Sequence, residues 1–235
     1  MTAANKLSRN RLLASLSARD LARLKVSLRP VDLPLETVLE KANEPIRTVY
    51  FFESGIASVV AGNGQAIEVG LIGREGMSGL SIVLGDDRSV NQTFIQAAGS
   101  GLRMTAKDLR TAMEQSKTLR LSLLRYAQVF SVQVAQTAVV NGRGKLEARL
   151  ARWLLMAHDR YDHMAFPFTH RFLALMLGVR RPGVTVALQA LEGYGLIRAT
   201  RGKITVIDRK GLEARSDPAY GVPEREYRRL IGSMA

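Results

Sequence analysis

Three hydrophobic patterns follow one another along the chain, and the first two predict a pair of helices and then a set of strands. In residues 8–28, Leu21, Leu24 and Leu28 recur at helical spacing behind a potential capping residue, Ser17. Short segments rich in Val, Ile, Phe and Tyr then alternate with glycines. They predict strands at residues 49–53, 56–61, 66–71, 93–96 and 102–105, and Asn63-Gly64 is typical of a two-residue hairpin. Short strands with glycine turns favour a jelly-roll barrel.

At residue 106 the hydrophobic period changes to between three and four. Residues 106–141 contain no Gly or Pro, which predicts one long helix. Five positions alternate at spacings of four and three, as in the seam of a coiled coil: Leu123, Ala127, Phe130, Val134 and Thr137. Leu124 and Val132 offer a second face, suited to packing on the barrel. The pattern favours a dimerisation helix, and the alternative is a helix buried within a monomer.

The stretch Asn141-Gly142-Arg143-Gly144 predicts a hinge after this helix, because two glycines interrupt the helical pattern. A further helix is expected over residues 146–161. Residues 216–235 are expected to be a C-terminal tail or to include a short helix. The predicted fold class is therefore α+β, with a sensor barrel and its N-terminal helices over residues 1–105, a dimerisation helix over 106–141 and a DNA-binding domain over 142–215.

Residues 168–207 carry the pattern that points to function. Thr169 can cap a first helix, Gly178 provides a turn, and Pro182 fits the start of a second helix. Two short β segments follow, joined by Arg201-Gly202-Lys203. Helix, turn, helix and basic hairpin together predict a winged helix-turn-helix, which binds double-stranded DNA.

The outward face of the second helix is expected to read bases, and the surrounding cations are expected to contact phosphates. Arg181 can make a bidentate contact to guanine, and Thr185 or Val186 can meet a thymine methyl group. Arg171, Arg201 and Lys203 suit phosphates, whereas His170 is expected to serve the capping region or a phosphate. The predicted DNA-binding set is Arg171, Arg180, Arg181, Thr185, Val186, Gln189, Arg201 and Lys203.

Charge and composition support a polyanionic partner and exclude several classes of site. The formal net charge is +13, and residues 143–235 hold 17 of the 34 Lys and Arg residues but only 9 of the 21 acidic ones. The chain has no cysteine and its three histidines lie after residue 150, so the barrel cannot hold a Cys- or His-ligated metal or haem. No metal site, catalytic residue or cofactor is expected.

The N-terminal leucines are interrupted by charges, and no apolar run is long enough for a membrane span, so a cytoplasmic location is expected. Two other classes of function stay open. One is an enzyme built on the barrel, although its carboxylates Glu53, Glu68 and Glu75 read as surface or turn residues. The other is a module that binds acidic protein or lipid through its basic face.

The sequence resembles the Crp/Fnr superfamily of bacterial transcription regulators. The resemblance lies in FTHRFLALMLGVRRPGVTVALQALEGYGLIRATRGKITVID, which is similar to the family's winged helix, and in YFFESGIASVV and EVGLIGREGMSGLSIVLGDDRS, which are similar to its cyclic-nucleotide-binding barrel. The resemblance implies a homodimer on a pseudo-palindromic operator. Double-stranded DNA and a second copy of the chain are then the expected partners, and RNA polymerase is a further candidate.

The same resemblance shows where the chain departs from the family. Cyclic-nucleotide binders carry a Gly-Glu pair and an Arg-Ser pair, but here those sites match Gly79-Leu80 and Asn91-Gln92, with Arg88-Ser89 three residues away. The anion would lose its charged anchor, so cyclic AMP and cyclic GMP are not expected to bind, and the effector is unknown. At the family's base-reading positions only Arg181 is retained, with Pro182 and Val186 at the others, which predicts a different operator.

Overall fold

A computed structural model describes residues 8–62, 67–161, 165–166, 168–200, 202–216 and 218–232. The N-terminal half contains α1 (Arg11–Ala14), α2 (Ala18–Lys25), β1 (Arg29–Leu33), β2 (Val38–Glu40), β3 (Thr48–Phe52), β4 (Ile56–Ala61), β5 (Ile67–Ile72), α3 (Leu80–Leu84), β6 (Gln92–Ala97) and β7 (Gly99–Thr105). The Asn63-Gly64 hairpin lies outside the described residues. The C-terminal half contains α4 (Ala106–Gln115), α5 (Lys117–Arg143), α6 (Leu146–His158), β8 (Ala165–Phe166), α7 (His170–Leu177), α8 (Arg181–Gly193), β9 (Ile197–Thr200), β10 (Lys203–Val206), α9 (Arg209–Ser216) and α10 (Val222–Leu230).

The barrel consists of two antiparallel sheets that share one apolar core. One sheet has the strand order β1-β7-β3 and the other β2-β6-β4-β5. Their inner faces meet in a cluster that includes Leu33, Phe52, Val59, Ile72 and Ile95. All five predicted strands are present, and Ser17 caps α2 as predicted. The mixed fold of N-terminal sheets, long helix and C-terminal winged helix is confirmed.

The predicted helix over residues 106–141 begins at Ala106 as expected, but it is divided at Ser116 and its second part continues to Arg143. Ser116 has an extended backbone, and its hydroxyl accepts a hydrogen bond from the Leu119 amide and so begins α5. The same hydroxyl donates to the Asp20 carboxylate over 2.6 Å, which ties the break to α2. Serine competes for backbone hydrogen bonds in this way, which favours a helix start over a helix interior.

The predicted hinge at residues 141–144 is also shifted, towards its last residue. Gly142 lies inside the last turn of α5, and the helix ends at Gly144, whose amide donates to the Val140 carbonyl over 2.8 Å. The chain changes direction between Gly144 and Lys145 before α6 begins. At 27 residues, α5 is about 40 Å long and runs from the barrel to the DNA-binding domain.

Residues 222–230 form the helix α10 and are not a tail. Although α10 follows the DNA-binding domain in sequence, it packs on α5, and its Tyr227 is buried with the helices of the N-terminal half. None of the helices in the described ranges is long and apolar enough to cross a membrane.

Candidate nucleic-acid interface

The helix-turn-helix is formed by α7 and α8, and local sequence explains where each begins. The Thr169 hydroxyl accepts a hydrogen bond from the Phe172 amide and caps α7. Gly178 ends α7 in the left-handed region at φ 61°, where a Cβ would add strain. Arg180 is the N-cap of α8, and Pro182 lies in its first turn, where no amide hydrogen bond is lost.

The two faces of α8 have different roles. Its inner side is buried in the domain core through Val184, Ala187, Leu188 and Leu191. Its outer side leaves Arg181, Val186 and Gln189 exposed, and Val186 keeps 64% of its surface accessible. A helix with a free outer face of this kind can enter a major groove. Arg171, at the start of α7, and Arg180 are exposed as well.

Thr185 is only partly exposed because it belongs to a hydrogen-bonded chain that links the two helices. The His170 Nδ1 and Thr185 Oγ1 atoms lie 3.0 Å apart, and the Thr185 hydroxyl also donates to the Arg181 carbonyl over 3.2 Å. His170 therefore links the start of α7 to the outer side of α8. No metal-binding group of His, Asp or Glu occurs among the described residues.

The wing lies beside this face. β9 and β10 pair antiparallel, and β8, which the sequence patterns did not indicate, adds a third strand on the other side of β10. Gly202 has φ 72° at the tip, and Lys203 is exposed next to it. Arg201 lies outside the described residues. The Glu192 carboxylate accepts a hydrogen bond from the Ala199 amide over 2.8 Å and fixes the wing to the end of α8.

Helix α7, helix α8 and the wing enclose a cleft of about 790 Å³. Its lining includes Arg171, Arg181, Thr185 and Gln189. Arg171, Arg180, Arg181 and Lys203 form no ion pair with another described residue, so their charges are free to meet phosphates. The structure thus brings four residues of the predicted DNA-binding set to one cleft, namely Arg171, Arg181, Thr185 and Gln189. Arg180 lines a neighbouring cleft with Arg171, and Val186 and Lys203 are exposed but do not line either cleft.

The DNA-binding domain packs against the outer face of the four-stranded sheet, and a buried carboxyl group lies in this interface. Glu68 of β5 accepts hydrogen bonds from the Ser58 hydroxyl of β4 and from the Trp153 indole of α6, the latter over 2.6 Å. Burial raises the pKa of Glu68 to about 7, despite these two donors. Close by, the side chain of Ile67 lies against Gly178.

Glu75 lies in a turn, as predicted, although it is buried, whereas the prediction is wrong for Glu68, which is a buried residue of β5. Glu75 forms an ion pair of 2.7 Å with Arg160, which lies at the end of α6. Sequence patterns gave no sign that these carboxylates are buried, because a single acidic residue in a strand or turn has the same pattern whether it faces water or a second domain. Glu68 is enclosed by two domains and so is not placed to meet a substrate.

The proposed effector site at Gly79 is occupied by the chain's own side chains. The Gly79 amide donates to the carboxyl group of Glu40 over 2.7 Å, and a Cβ on Gly79 would lie 2.4 Å from the Val49 side chain. Burial raises the pKa of Glu40, whereas hydrogen bonds from Gly79, Ser78 and Thr93 lower it. Sequence analysis missed Glu40, which comes from a strand distant in sequence.

The other effector candidates lie at the start of α3 and after it. Leu80 packs in the helical core, and Arg88 is exposed and pairs with Asp87 at 3.4 Å. The Ser89 hydroxyl accepts a hydrogen bond from the Asn91 amide, so these residues form a local turn. Gln92 belongs to β6 and is paired with Val60.

The predicted dimer seam on α5 faces the chain itself. Leu123 and Ala127 are buried without any partner chain, so their assignment to a dimer surface is wrong. The Phe130 ring lies against Gly70 of β5, and the Thr137 hydroxyl accepts a hydrogen bond from Arg152 of α6 over 3.2 Å. Val134 is half-buried. The barrel takes this stripe because it carries the larger apolar side chains.

A second stripe with the same spacing of four and three runs along the free side of α5, two residues earlier in the sequence. Leu121 and Val139 keep 50% and 53% of their surface exposed. The members of this free stripe are Leu121, Arg125, Gln128, Val132, Ala135, Val139 and Gly142. Val132, predicted to face the barrel, therefore lies on the opposite side of the helix.

Comparison with known proteins identifies a domain and a fold. Residues 148–215 match the family described as the Crp-like helix-turn-helix domain. No curated protein sequence matches the chain significantly.

Similar solved structures cover nearly all of their own chains. FixK2 from Bradyrhizobium japonicum is 15% identical, with 82% of this chain and 99% of that chain covered at a TM-score of 0.70. The Crp-family transcriptional regulator TTHB099 from Thermus thermophilus is 20% identical, with 79% and 96% covered at a TM-score of 0.63. The c-di-GMP responsive global regulator CLP from Xanthomonas campestris is 16% identical, with 81% and 99% covered at a TM-score of 0.63. At these identities the likeness establishes the fold.

Proposed function

We propose that this chain, which carries a Crp-like helix-turn-helix domain within the fold of the Crp/Fnr regulators, is a cytoplasmic, homodimeric, sequence-specific DNA-binding transcription regulator. The observation that carries the proposal is the open face of α8, where Arg181, Val186 and Gln189 are exposed beside cations that form no ion pair with another described residue. In this proposal Arg181 reads a base, Thr185 and Val186 meet thymine methyl groups, and Arg171, Arg180 and Lys203 contact phosphates.

The free stripe of α5 supports the homodimer. Its exposed Leu121 and Val139 and its half-buried Val132 repeat at coiled-coil spacing, and burial against an identical helix removes this apolar surface from water. A two-fold axis along the stripe would present two DNA-binding domains to half-sites about 34 Å apart. An activating role would add RNA polymerase as a further partner.

The arrangement at Gly79 supports regulation without cyclic AMP or cyclic GMP. An anion placed at the Gly79 amide would compete with Glu40 for that N–H group, and no arginine lies at the Asn91-Gln92 position. A buried carboxyl group in place of a fixed cation disfavours a phosphate. Any effector of this chain is therefore of another chemical class or binds elsewhere.

The function is tested by selecting bound duplexes from random DNA and measuring affinity for selected and scrambled duplexes at several salt concentrations. Strong sequence preference with a steep salt dependence is expected. Equal affinity for both duplexes, or binding to anionic vesicles in place of DNA, would refute the proposal. Calorimetry with cyclic AMP, cyclic GMP and c-di-GMP tests the sensor separately, and micromolar binding of cyclic AMP or cyclic GMP would contradict the expected absence.

A further inference from the structure

We propose that α10 is an intramolecular strap that fastens the DNA-binding domain to the N-terminal half and holds α8 in the orientation that binds DNA. The strap itself is independent of the proposed function, and only its DNA readout rests on that function. The central observation is that α10 follows α9 of the DNA-binding domain in sequence but packs with the N-terminal half.

The DNA-binding domain is therefore attached at both of its ends. At its start, the chain leaves α5 at Gly144 and enters α6. At its end, the chain leaves α9 and returns to α5 through α10. Without α10, the domain would be held by one backbone segment at Gly144 and by its packing on the four-stranded sheet. Rotation of this domain requires α10 to detach or to move with it, because the second attachment closes a loop.

Besides packing on α5, α10 makes a polar contact with the loop of residues 73–77, which lies between β5 and α3. The buried Tyr227 hydroxyl donates to the Glu75 carbonyl over 3.0 Å. The side chain of Glu75 accepts a hydrogen bond from Arg160 at 2.7 Å, and both side chains are almost fully buried. This loop thus meets the strap through its backbone and the end of α6 through its side chain.

Glu224 completes the cluster from the first turn of α10. It is 5% exposed, and its carboxylate accepts a hydrogen bond from the Gly221 amide over 3.1 Å. Burial raises the pKa of Glu224, whereas the nearby charges of Arg160 and Arg152 lower it. Burial alone would lower the pKa of Arg160, but Glu75 and Glu224 together raise it, so this guanidinium stays charged. Loss of either carboxylate leaves a buried charge less well compensated.

The apolar contacts of α10 are also with the N-terminal half. Tyr227 lies in the cluster that contains Leu12, Leu13 and Tyr126, and Leu230 and Ile231 pack against its edge. The buried residues of the winged helix belong to a different cluster. Detachment of α10 would therefore expose core surface of the N-terminal half, which opposes release.

In the strapped arrangement the outer face of α8 is free of other protein. A dimer whose domains are already oriented loses less conformational freedom when both half-sites bind, and preorganisation of this kind raises affinity. Release of the strap is thus expected to weaken DNA binding by about tenfold, which corresponds to 1.4 kcal/mol.

The test compares the full chain with Glu224→Gln and Tyr227→Phe, and uses Arg228→Ala, an exposed change on the same helix, as the matched control. Hydrogen exchange is measured along the chain, and affinity for a selected duplex is measured by fluorescence anisotropy. Both strap variants should accelerate exchange in residues 73–77 and 142–149 and weaken DNA binding, and the control should do neither.

Three outcomes would overturn the proposal. The first is faster exchange confined to α10, which would mean that the helix holds nothing but itself. The second is faster exchange spread evenly over both halves, as expected for general destabilisation. The third is unchanged or tighter DNA binding by the strap variants. If the wild-type chain shows no sequence preference, the proposed function fails, but the exchange pattern still decides whether the strap exists.

Discussion

The indole of Trp153 donates a hydrogen bond of 2.6 Å to Glu68, and this contact joins the first helix of the DNA-binding domain to the outer face of the four-stranded sheet. Ser58 donates to the same carboxyl group from the neighbouring strand. Around this carboxyl group, Ile56, Val60 and Leu71 lie in one cluster with the winged helix. A titratable group with a raised pKa therefore lies where the two halves meet.

Glu68 should make the stability of the chain fall as pH rises towards neutral. Its pKa is about 7 in the folded chain, against an ordinary value of 4.5 for a glutamate in water, so the folded state binds the extra proton between these values. The contribution is complete below pH 4.5 and is lost as pH rises through 7, by up to about 3 kcal/mol at 1.36 kcal/mol per unit. Urea unfolding of wild type and Glu68→Gln at pH 5 and pH 8 measures it.

The glutamine variant keeps an acceptor for Trp153 and Ser58 but cannot ionise. Its stability relative to wild type should therefore increase between pH 5 and pH 8. A constant difference over that range would show that Glu68 does not titrate there.

The two stripes of α5 should respond differently to substitution. Leu123→Ala removes a fully buried side chain and should lower the free energy of unfolding by about 2–5 kcal/mol. Ala135→Glu places a charge on the free stripe and should convert dimers to monomers without unfolding the chain, because the residue is exposed in the single chain. Sedimentation velocity gives the oligomeric state.

Ala138→Glu is the matched control for the free stripe. Ala138 is also exposed, but it lies about 100° around the helix from the centre of the stripe. It should leave the dimer intact. If Ala135→Glu remains dimeric, the free stripe is not the contact surface.

Arg181 and Lys203 should separate base reading from phosphate binding. Arg181→Ala is expected to cost about 1–3 kcal/mol on the selected duplex and to relax preference at one base pair. Lys203→Ala should weaken binding to all duplexes alike and reduce the salt dependence by about one unit of slope. Competition titrations against duplexes with single base changes distinguish the two effects. A uniform loss for both variants would remove Arg181 from the base-reading set.

Gly178→Ala should destabilise the junction between the barrel and the DNA-binding domain. The left-handed backbone at φ 61° disfavours any Cβ, and this Cβ would lie 2.7 Å from the Ile67 side chain. We expect a loss of about 1–2 kcal/mol from the backbone alone. Gly193→Ala, which meets no atom within 4 Å in the last turn of α8, should instead gain about 0.5–1 kcal/mol. Chemical denaturation compares them, and equal effects would refute the argument.

Much of the fold was predictable because its signals are local. Thr169, Gly178 and Pro182 each define one boundary of the helix-turn-helix through their own backbone preferences, and the comparisons confirm a Crp-like helix-turn-helix domain over residues 148–215 and a fold similar to that of FixK2. The placement of α10 depends instead on contacts between residues far apart in sequence. Tyr227 and Glu75 are separated by 152 positions, and nothing near either one indicates the other.

The orientation of α5 could not be decided from its pattern for a related reason. The helix is apolar on two sides, and both stripes repeat at spacings of four and three. Periodicity identifies a buried stripe, but it does not say whether the barrel or a partner covers it. Leu123 and Phe130 pack against the N-terminal half, so the stripe with the smaller side chains lies on the free side of the helix.

The side chains of the free stripe become smaller towards the C-terminal end of α5, from Leu121 and Arg125 to Ala135 and Gly142, although Val139 lies between the last two. In the proposed dimer, two such helices would approach each other most closely near their C-terminal ends. The bulkier side chains would hold them apart near their N-terminal ends. The two α5 helices would then pivot about a contact near the duplex. A small change in their crossing angle beside the barrels would rotate both α8 helices with respect to the major groove.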